Sequence, residues 1–212
     1  MSGPQGSNTG NRRSAVVLYS YDISFACHQV RLTLAEKGIE ATVMSLAPGT
    51  LPEGIGDFPT GAKAPILVDR DLVLYDSRVI IDYIDERYPH PPLMPADPIS
   101  RARTRLTLHR MECDWISLRP DAPNQALPLA EARAQLTESL MAAKDVFSAM
   151  NYFFSEEYSI LDATLAPLLW RLPSYGILLP EQAEPIRQYA KRIFSRPGFQ
   201  ASLSNAEREL AQ

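Results

Sequence analysis

Apolar and polar residues change rhythm partway along this chain, and the change divides it. Ala15-Val-Val-Leu-Tyr-Ser20 is a short run rich in β-formers, and Ala41-Thr-Val-Met-Ser-Leu46 alternates as a strand does. Between them, Cys27, Val30 and Leu34 recur at helical spacing, which predicts a helix over His28–Lys37 closed by Gly38. Residues 47–63 hold four glycines and three prolines with few periodic apolar positions, so a long loop is expected. Pro65-Ile-Leu-Val68 and Leu72-Val-Leu-Tyr75 read as two strands around an Asp69-Arg70-Asp71 turn. Ile80, Ile84 and Tyr88 then share one face of a helix over Ser77–Tyr88.

After Pro95 the period is helical throughout. Leu108, Met111, Trp115 and Leu118 form one stripe of a helix over Ile99–Leu118. The prolines from Pro120 to Pro128 interrupt it, and Leu129, Ala132, Leu136, Leu140 and Phe147 mark a second long helix. Ser159 and Asp162 supply a capping box for a third, which Pro167 should kink and Pro173 should end. A fourth is expected over Pro185–Ser195, closed by Pro197-Gly198. The order βαβ then ββα describes a thioredoxin-like half over residues 15–92, a linker at 93–98 and an all-helical domain at 99–212, preceded by a disordered tail at 1–14.

One stretch stands out from both rhythms. Pro89-His-Pro-Pro-Leu-Met-Pro95 has four prolines in seven residues. Proline fixes φ and lacks an N–H, so no helix continues through it. The segment is therefore stiff, and most of its ordering entropy is spent before a partner arrives. By spacing alone an interdomain linker is the simplest reading. Docking to another protein, with Tyr88 and His90 as polar and aromatic contacts, is the sharper one.

A chain of 212 residues has room for a substantial core. Its net charge of −4 argues against a broad phosphate-binding face and so against direct DNA reading. No apolar run approaches membrane-spanning length and no signal-peptide pattern opens the chain, which makes a cytoplasmic protein the expectation. Two distant cysteines, Cys27 and Cys113, offer no disulfide framework. His28, Glu36 and Glu112 show no metal-ligand spacing, and neither a metal nor another cofactor is expected. Trp115 and Trp170 lie on apolar faces and read as core.

An α/β half followed by helices resembles the glutathione transferase fold, and particular residues carry the likeness. Ala64-Pro65 before a strand looks like that family's cis-proline turn, and Asp76-Ser77 at a helix start looks like its acid–serine pair for the γ-glutamyl carboxylate. Ser24, ahead of Arg31, falls where several classes keep a catalytic serine or cysteine. The same residues have structural readings. Ser77 is an ordinary N-cap, Cys27 a packed thiol, and Tyr19 and Tyr21 strand-end aromatics. Ser24 also lacks the neighbouring proline common beside a catalytic residue.

Three stretches narrow the resemblance. They are His28-Gln-Val-Arg-Leu-Thr-Leu-Ala-Glu-Lys-Gly38, Asp82-Tyr-Ile-Asp-Glu-Arg-Tyr-Pro-His-Pro-Pro-Leu-Met-Pro95 and Leu165-Ala-Pro-Leu-Leu-Trp-Arg-Leu-Pro173. Together they resemble the stringent starvation protein A family of RNA-polymerase-associated proteins. The resemblance implies a transcription regulator without transferase activity, which binds polymerase holoenzyme containing the primary sigma factor. It would support stress, acid-tolerance or virulence genes. It also implies a docking pocket at Tyr88, Pro89, His90, Pro91 and Pro92, and a vestigial glutathione site at Ala64, Pro65, Asp76 and Ser77. The rival is an active glutathione-dependent enzyme using Ser24. The scaffold's usual homodimer, or a heterodimer with a family member, would pair Leu72–Arg87 of one subunit with Ile99–Met111 of the other. Arg101, Arg103 and Arg105 would then face Asp82, Asp85 and Glu86 across the two-fold axis. Arg101, Arg105 and His109, at i, i+4 and i+8, form a basic stripe beside Arg103 and Arg110.

Overall fold

The structure, a computed structural model, describes residues 16–210. The expected tail at 1–14 and the first strand residue Ala15 lie outside the described residues. Strands β1 (Val16–Tyr21), β2 (Ala41–Leu46), β3 (Ile66–Asp69) and β4 (Leu72–Tyr75) form one mixed sheet in the order β2-β1-β3-β4. The β1/β2 pair is parallel and the other two pairs are antiparallel. Val16 and Leu18 alternate onto one face and meet Val30 and Leu34 of α1 (Phe25–Glu36) and Ile80 and Ile84 of α2 (Ser77–Arg87). The thioredoxin-like reading therefore holds.

Helix α1 begins at Phe25 rather than His28, because the Cys27 N–H donates to Ser24 Oγ at 3.3 Å and starts the helix earlier. Helix α3 (Pro98–Met111) passes into a π turn (Glu112–Ile116) where one longer helix was expected. The second long helix likewise divides, into α4 (Leu129–Ala142) and a short α5 (Val146–Ala149) that seats Phe147. Helix α6 (Ile160–Arg171) is buried along almost its whole length and runs through Pro167. Its Ser159–Asp162 capping box is present as expected. Asp162 also accepts from Phe153 N–H at 2.9 Å and Tyr189 O–H at 2.6 Å. Burial pushes its carboxyl above the usual range, against those hydrogen bonds.

Helix α7 (Glu184–Phe194) ends just before Pro197-Gly198, as expected, and the same pair opens α8 (Pro197–Ser202), followed by α9 (Asn205–Glu209). A Cβ on Gly198 would lie 2.6 Å from Glu36 Cδ, so glycine permits the close approach of α8 to α1. There Arg196 donates to both Glu36 oxygens, at 3.0 and 2.6 Å. Trp115 sits in the helical core with Phe147 and Phe153, whereas Trp170 is only half-buried and donates to Glu207 O at 2.9 Å.

A clamped strap and an interdomain cleft as the candidate functional site

Residues Tyr88–Pro92 form a surface strap between α2 and α3, with Tyr88 half-buried and the other four exposed. Its stiffness comes from more than proline. Asp85, on the last turn of α2, accepts from Leu93 N–H (2.9 Å) and Met94 N–H (3.0 Å) and from Lys37 Nζ (2.6 Å). Lys37 Nζ also donates to Pro91 O at 2.6 Å, and its side chain is fully buried. Leu93 enters the core beneath the sheet helices, and Leu93 O accepts from Ile160 N–H at 3.0 Å. The segment read as a linker is thus fastened to α1, α2 and α6. Arg87 lies over the Tyr88 ring at 5.3 Å. The His90–Pro91 bond is cis. Behind the strap, a cavity of ≈ 320 Å³ is lined by Pro89, His90, Pro92, Asp82, Arg101 and Arg105, among others.

A second cavity, ≈ 660 Å³, lies between the two halves and holds part of the glutathione-type constellation. Asp76 and Ser77 are on its wall. Asp76, not Ser77, is the N-cap of α2: at φ 71° its carboxylate accepts from Arg78 and Val79 N–H. That corrects the reading of Ser77 as a cap. Its hydroxyl instead donates to Gln29 Oε1 at a long 3.4 Å. Ala64–Pro65 is cis, as the resemblance implies, and both residues are buried. Ser24 caps α1 and is not among the residues lining the cleft. Cys27 is fully buried beneath the Tyr21 N–H, so the packed reading of that thiol holds.

Arg105 lines both cavities, while Arg101 joins the smaller and His109 the larger, so the basic stripe of α3 bridges them. Asp82 also faces both. Its carboxyl is raised by burial, with Arg105 opposing and Glu86 reinforcing the shift. Within one chain Arg101 Nε donates to Pro95 O at 3.0 Å, Asp85 pairs with Lys37, and the charge of Arg105 opposes the upward shift of Asp82. The same elements do present apolar side chains outward: Leu72, Tyr75 and Val79 on β4 and α2, Ile99 and Leu106 on α3.

Sequence reasoning missed the buried charges that fasten the halves together. Glu207, fully buried, accepts from Arg31 (2.6 Å) and from Arg171, and also from Ser204 N–H (3.1 Å). His28 packs between Arg171 (2.8 Å) and Ser202 (3.1 Å). Burial, then Arg171 and Arg31, hold the imidazole well below its ordinary pKa. The available signal was two arginines set among apolar residues, Arg31 between Val30 and Leu32 and Arg171 at the end of the mostly apolar α6. Among the described residues, no cluster of three or more His, Cys, Asp or Glu is placed to hold a metal, and no helix is long and apolar enough to cross a membrane.

Comparison with known proteins agrees with this geometry. Residues 18–92 match the glutathione S-transferase N-terminal domain and residues 106–197 the C-terminal domain. Among solved structures, a tau class glutathione S-transferase from mango superposes with a TM-score of 0.75 at 24% identity, covering 94% of this chain and 96% of its own, which establishes the fold. The stringent starvation protein A homolog of Haemophilus ducreyi is 41% identical over 202 residues, covering 93% of this chain and 94% of its own. That of Coxiella burnetii is 40% identical over 206 residues, covering 95% and 97%. With both halves of the transferase fold matched and such identity along nearly its whole length, the chain belongs to the stringent starvation protein A family.

Proposed function

We propose that this protein is a non-enzymatic transcription regulator of the cytoplasm, which docks on RNA polymerase holoenzyme carrying the primary sigma factor. The contact surface is the strap of Tyr88, Pro89, His90, Pro91 and Pro92. One observation carries the reading: an exposed proline-rich segment held from below by the buried Lys37–Asp85 pair. Such a segment loses little conformational entropy on binding, so its contacts convert more fully into affinity. The family's association with polymerase supplies the partner, and the acidic balance fits recruitment through protein rather than DNA. Stress, acid-tolerance or virulence genes are the expected targets. No cofactor is required.

Dimerisation belongs to the same proposal. Ile99, Leu106, Val79, Tyr75 and Leu72 are each more than a third exposed, and a two-fold contact would cover them. A homodimer uses this face twice, and a heterodimer with a family member would use it once.

The test replaces Tyr88, Pro89, His90, Pro91 and Pro92 by alanine. Capture of purified holoenzyme should be lost, with circular dichroism and dimer mass unchanged. Wild-type capture by that variant would remove the strap from consideration. The enzymatic rival rests on the cis Ala64–Pro65 turn and the Asp76–Ser77 pair at the cleft. Saturable glutathione binding with turnover that depends on Ser24 would favour it.

A further inference from the structure

The two edges of the sheet are finished differently. Strand β4 is 4 residues long, lies between Asp71 and Asp76, and turns Leu72 and Tyr75 toward the proposed dimer contact. Strand β2 is 6 residues long, and Ala41-Thr-Val-Met-Ser-Leu46 holds neither a charge nor a proline. Among the described residues it pairs with β1 alone, in an unbroken register. Alternate residues therefore direct their N–H and C=O groups away from the sheet. Val43 and Met44 project to opposite faces of the strand and are 49% and 46% exposed. Brevity, charge, proline or a bulge usually guards such an edge against a further strand. Strand β2 has none of these.

A groove of ≈ 870 Å³ lies beside it, lined by Ala41 and Val43 of β2, Leu34 of α1, Ala201 of α8, and Tyr88 and His90 of the strap. The strap and the free edge thus border one groove. Their covalent link is short: Lys37, whose Nζ holds Pro91 O, is separated from β2 by residues 38–40. The buried cations of the groove are already matched, Arg31 by Glu207 and Lys37 by Asp85, so it has no unmet demand for an anion. What is unmet is the backbone of β2. A helix satisfies its own backbone groups, whereas an extended chain presents them in register at the strand spacing of about 4.8 Å.

We infer that β2 accepts an extended segment of the polymerase–sigma assembly as a fifth strand, with alternate apolar side chains in the groove and one end against Tyr88 and His90. The inference rests on the docking role proposed for the strap and specifies the conformation of the segment that reaches it. Main-chain hydrogen bonds would supply affinity, and the side chains entering the groove would supply selectivity. A second copy of the chain on this edge would cover the groove that Tyr88 and His90 line, and so would compete with docking.

Hydrogen exchange of the full chain, followed over residues 41–46 with and without purified holoenzyme, tests the added strand. The outward amides should exchange rapidly in the free protein and slow by about tenfold or more in the complex. Ala201→Trp fills the groove from α8 without touching the edge; with thermal unfolding unchanged, it should weaken holoenzyme capture by about tenfold. Val43→Lys and Val43→Glu place opposite charges at the edge and should both weaken capture, whereas Val43→Ile should leave it within about twofold. Equal exchange in free and bound protein, or wild-type capture by the Ala201→Trp and Val43→Lys variants, would overturn the added strand and leave the strap reading intact. Wild-type capture by the five-alanine strap variant would instead overturn the docking role itself. Slow exchange of these amides in the free chain at every concentration would give the edge to the chain's own residues 1–15. Slowing that follows protein concentration alone would give it to a second copy, and either result overturns the inference.

Discussion

Asp85→Asn is the sharpest perturbation of the strap, because it alters none of the five residues proposed to dock. The wild-type carboxylate holds Lys37 Nζ at 2.6 Å and the Leu93 and Met94 N–H groups at 2.9 and 3.0 Å. Asparagine can keep one acceptor, but its amide N–H₂ would face either Met94 N–H or the ammonium, donor against donor. Lys37 has a fully buried side chain and would lose its counter-ion. Removing one partner of a buried ion pair costs about 3–5 kcal/mol. That is a large share of a total stability of roughly 5–15 kcal/mol. With a urea m-value of about 2–3 kcal/mol/M for a chain of this size, the midpoint should fall by roughly 1–2 M. Lys37→Met added to Asp85→Asn should recover part of the loss, because the unpaired ammonium then disappears. Holoenzyme capture should fall with the clamp, since the strap would have to be ordered on binding. A loss below about 1 kcal/mol, or wild-type capture by a folded Asp85→Asn protein, would refute the clamp as the source of the strap's rigidity.

Three further outcomes follow from the buried charges and the apolar face. Glu207→Leu leaves Arg31 and Arg171 unpaired, so stability should drop by about 3–5 kcal/mol and Tm by roughly 10 °C; a change within about 2 °C would rule out the cluster as a fastening. His28 stays neutral in the fold, whereas the unfolded chain takes up a proton as pH falls through 6.5; stability should therefore decline on acidification from that point, and His28→Gln should flatten the slope of urea midpoint against pH. An unaltered slope would exclude His28 as its origin. Ile99→Glu with Leu106→Glu should convert the dimer to a monomer by light scattering, and a wild-type monomer at micromolar concentration would remove the dimer itself.

What was legible in the sequence was local. The β3–β4 hairpin, the apolar stripe of α2 and the Ser159–Asp162 cap each depend on residues close in the chain, and each formed as read. Errors gathered where tertiary contact overrides local pattern. Phe147 continues the sequence spacing of α4 yet reaches the core from a separate turn, where it packs with Trp115, Phe153 and Tyr189. Pro197-Gly198 ended α7 as read, and the pair also opens the unforeseen α8, where Gly198 leaves room for Glu36. The strap's position was readable from its prolines. Its clamp was not, since Asp85 binds backbone N–H groups and a lysine from another helix, and neither leaves a pattern in residue type.

Helix α1 shows how a transferase scaffold would serve the docking role proposed for the strap. Its middle bears His28 and Arg31, which join the Glu207 cluster, and its end bears Lys37, which holds the strap. His28 and Arg31 lie within its 12 residues, roughly 18 Å long at the helical rise, and Lys37 is its C-cap. The strap is therefore positioned against the same helix that receives α6 and α8 and, through Arg31 and Glu207, α9, so it cannot move far without disturbing the junction of the two halves. An enzyme of this fold needs that junction rigid to hold two substrates in register. A docking protein needs the same rigidity to present a short loop at low entropic cost. Loss of catalysis would leave that mechanical demand in place, and the charges that meet it are buried at the junction rather than displayed on the binding face.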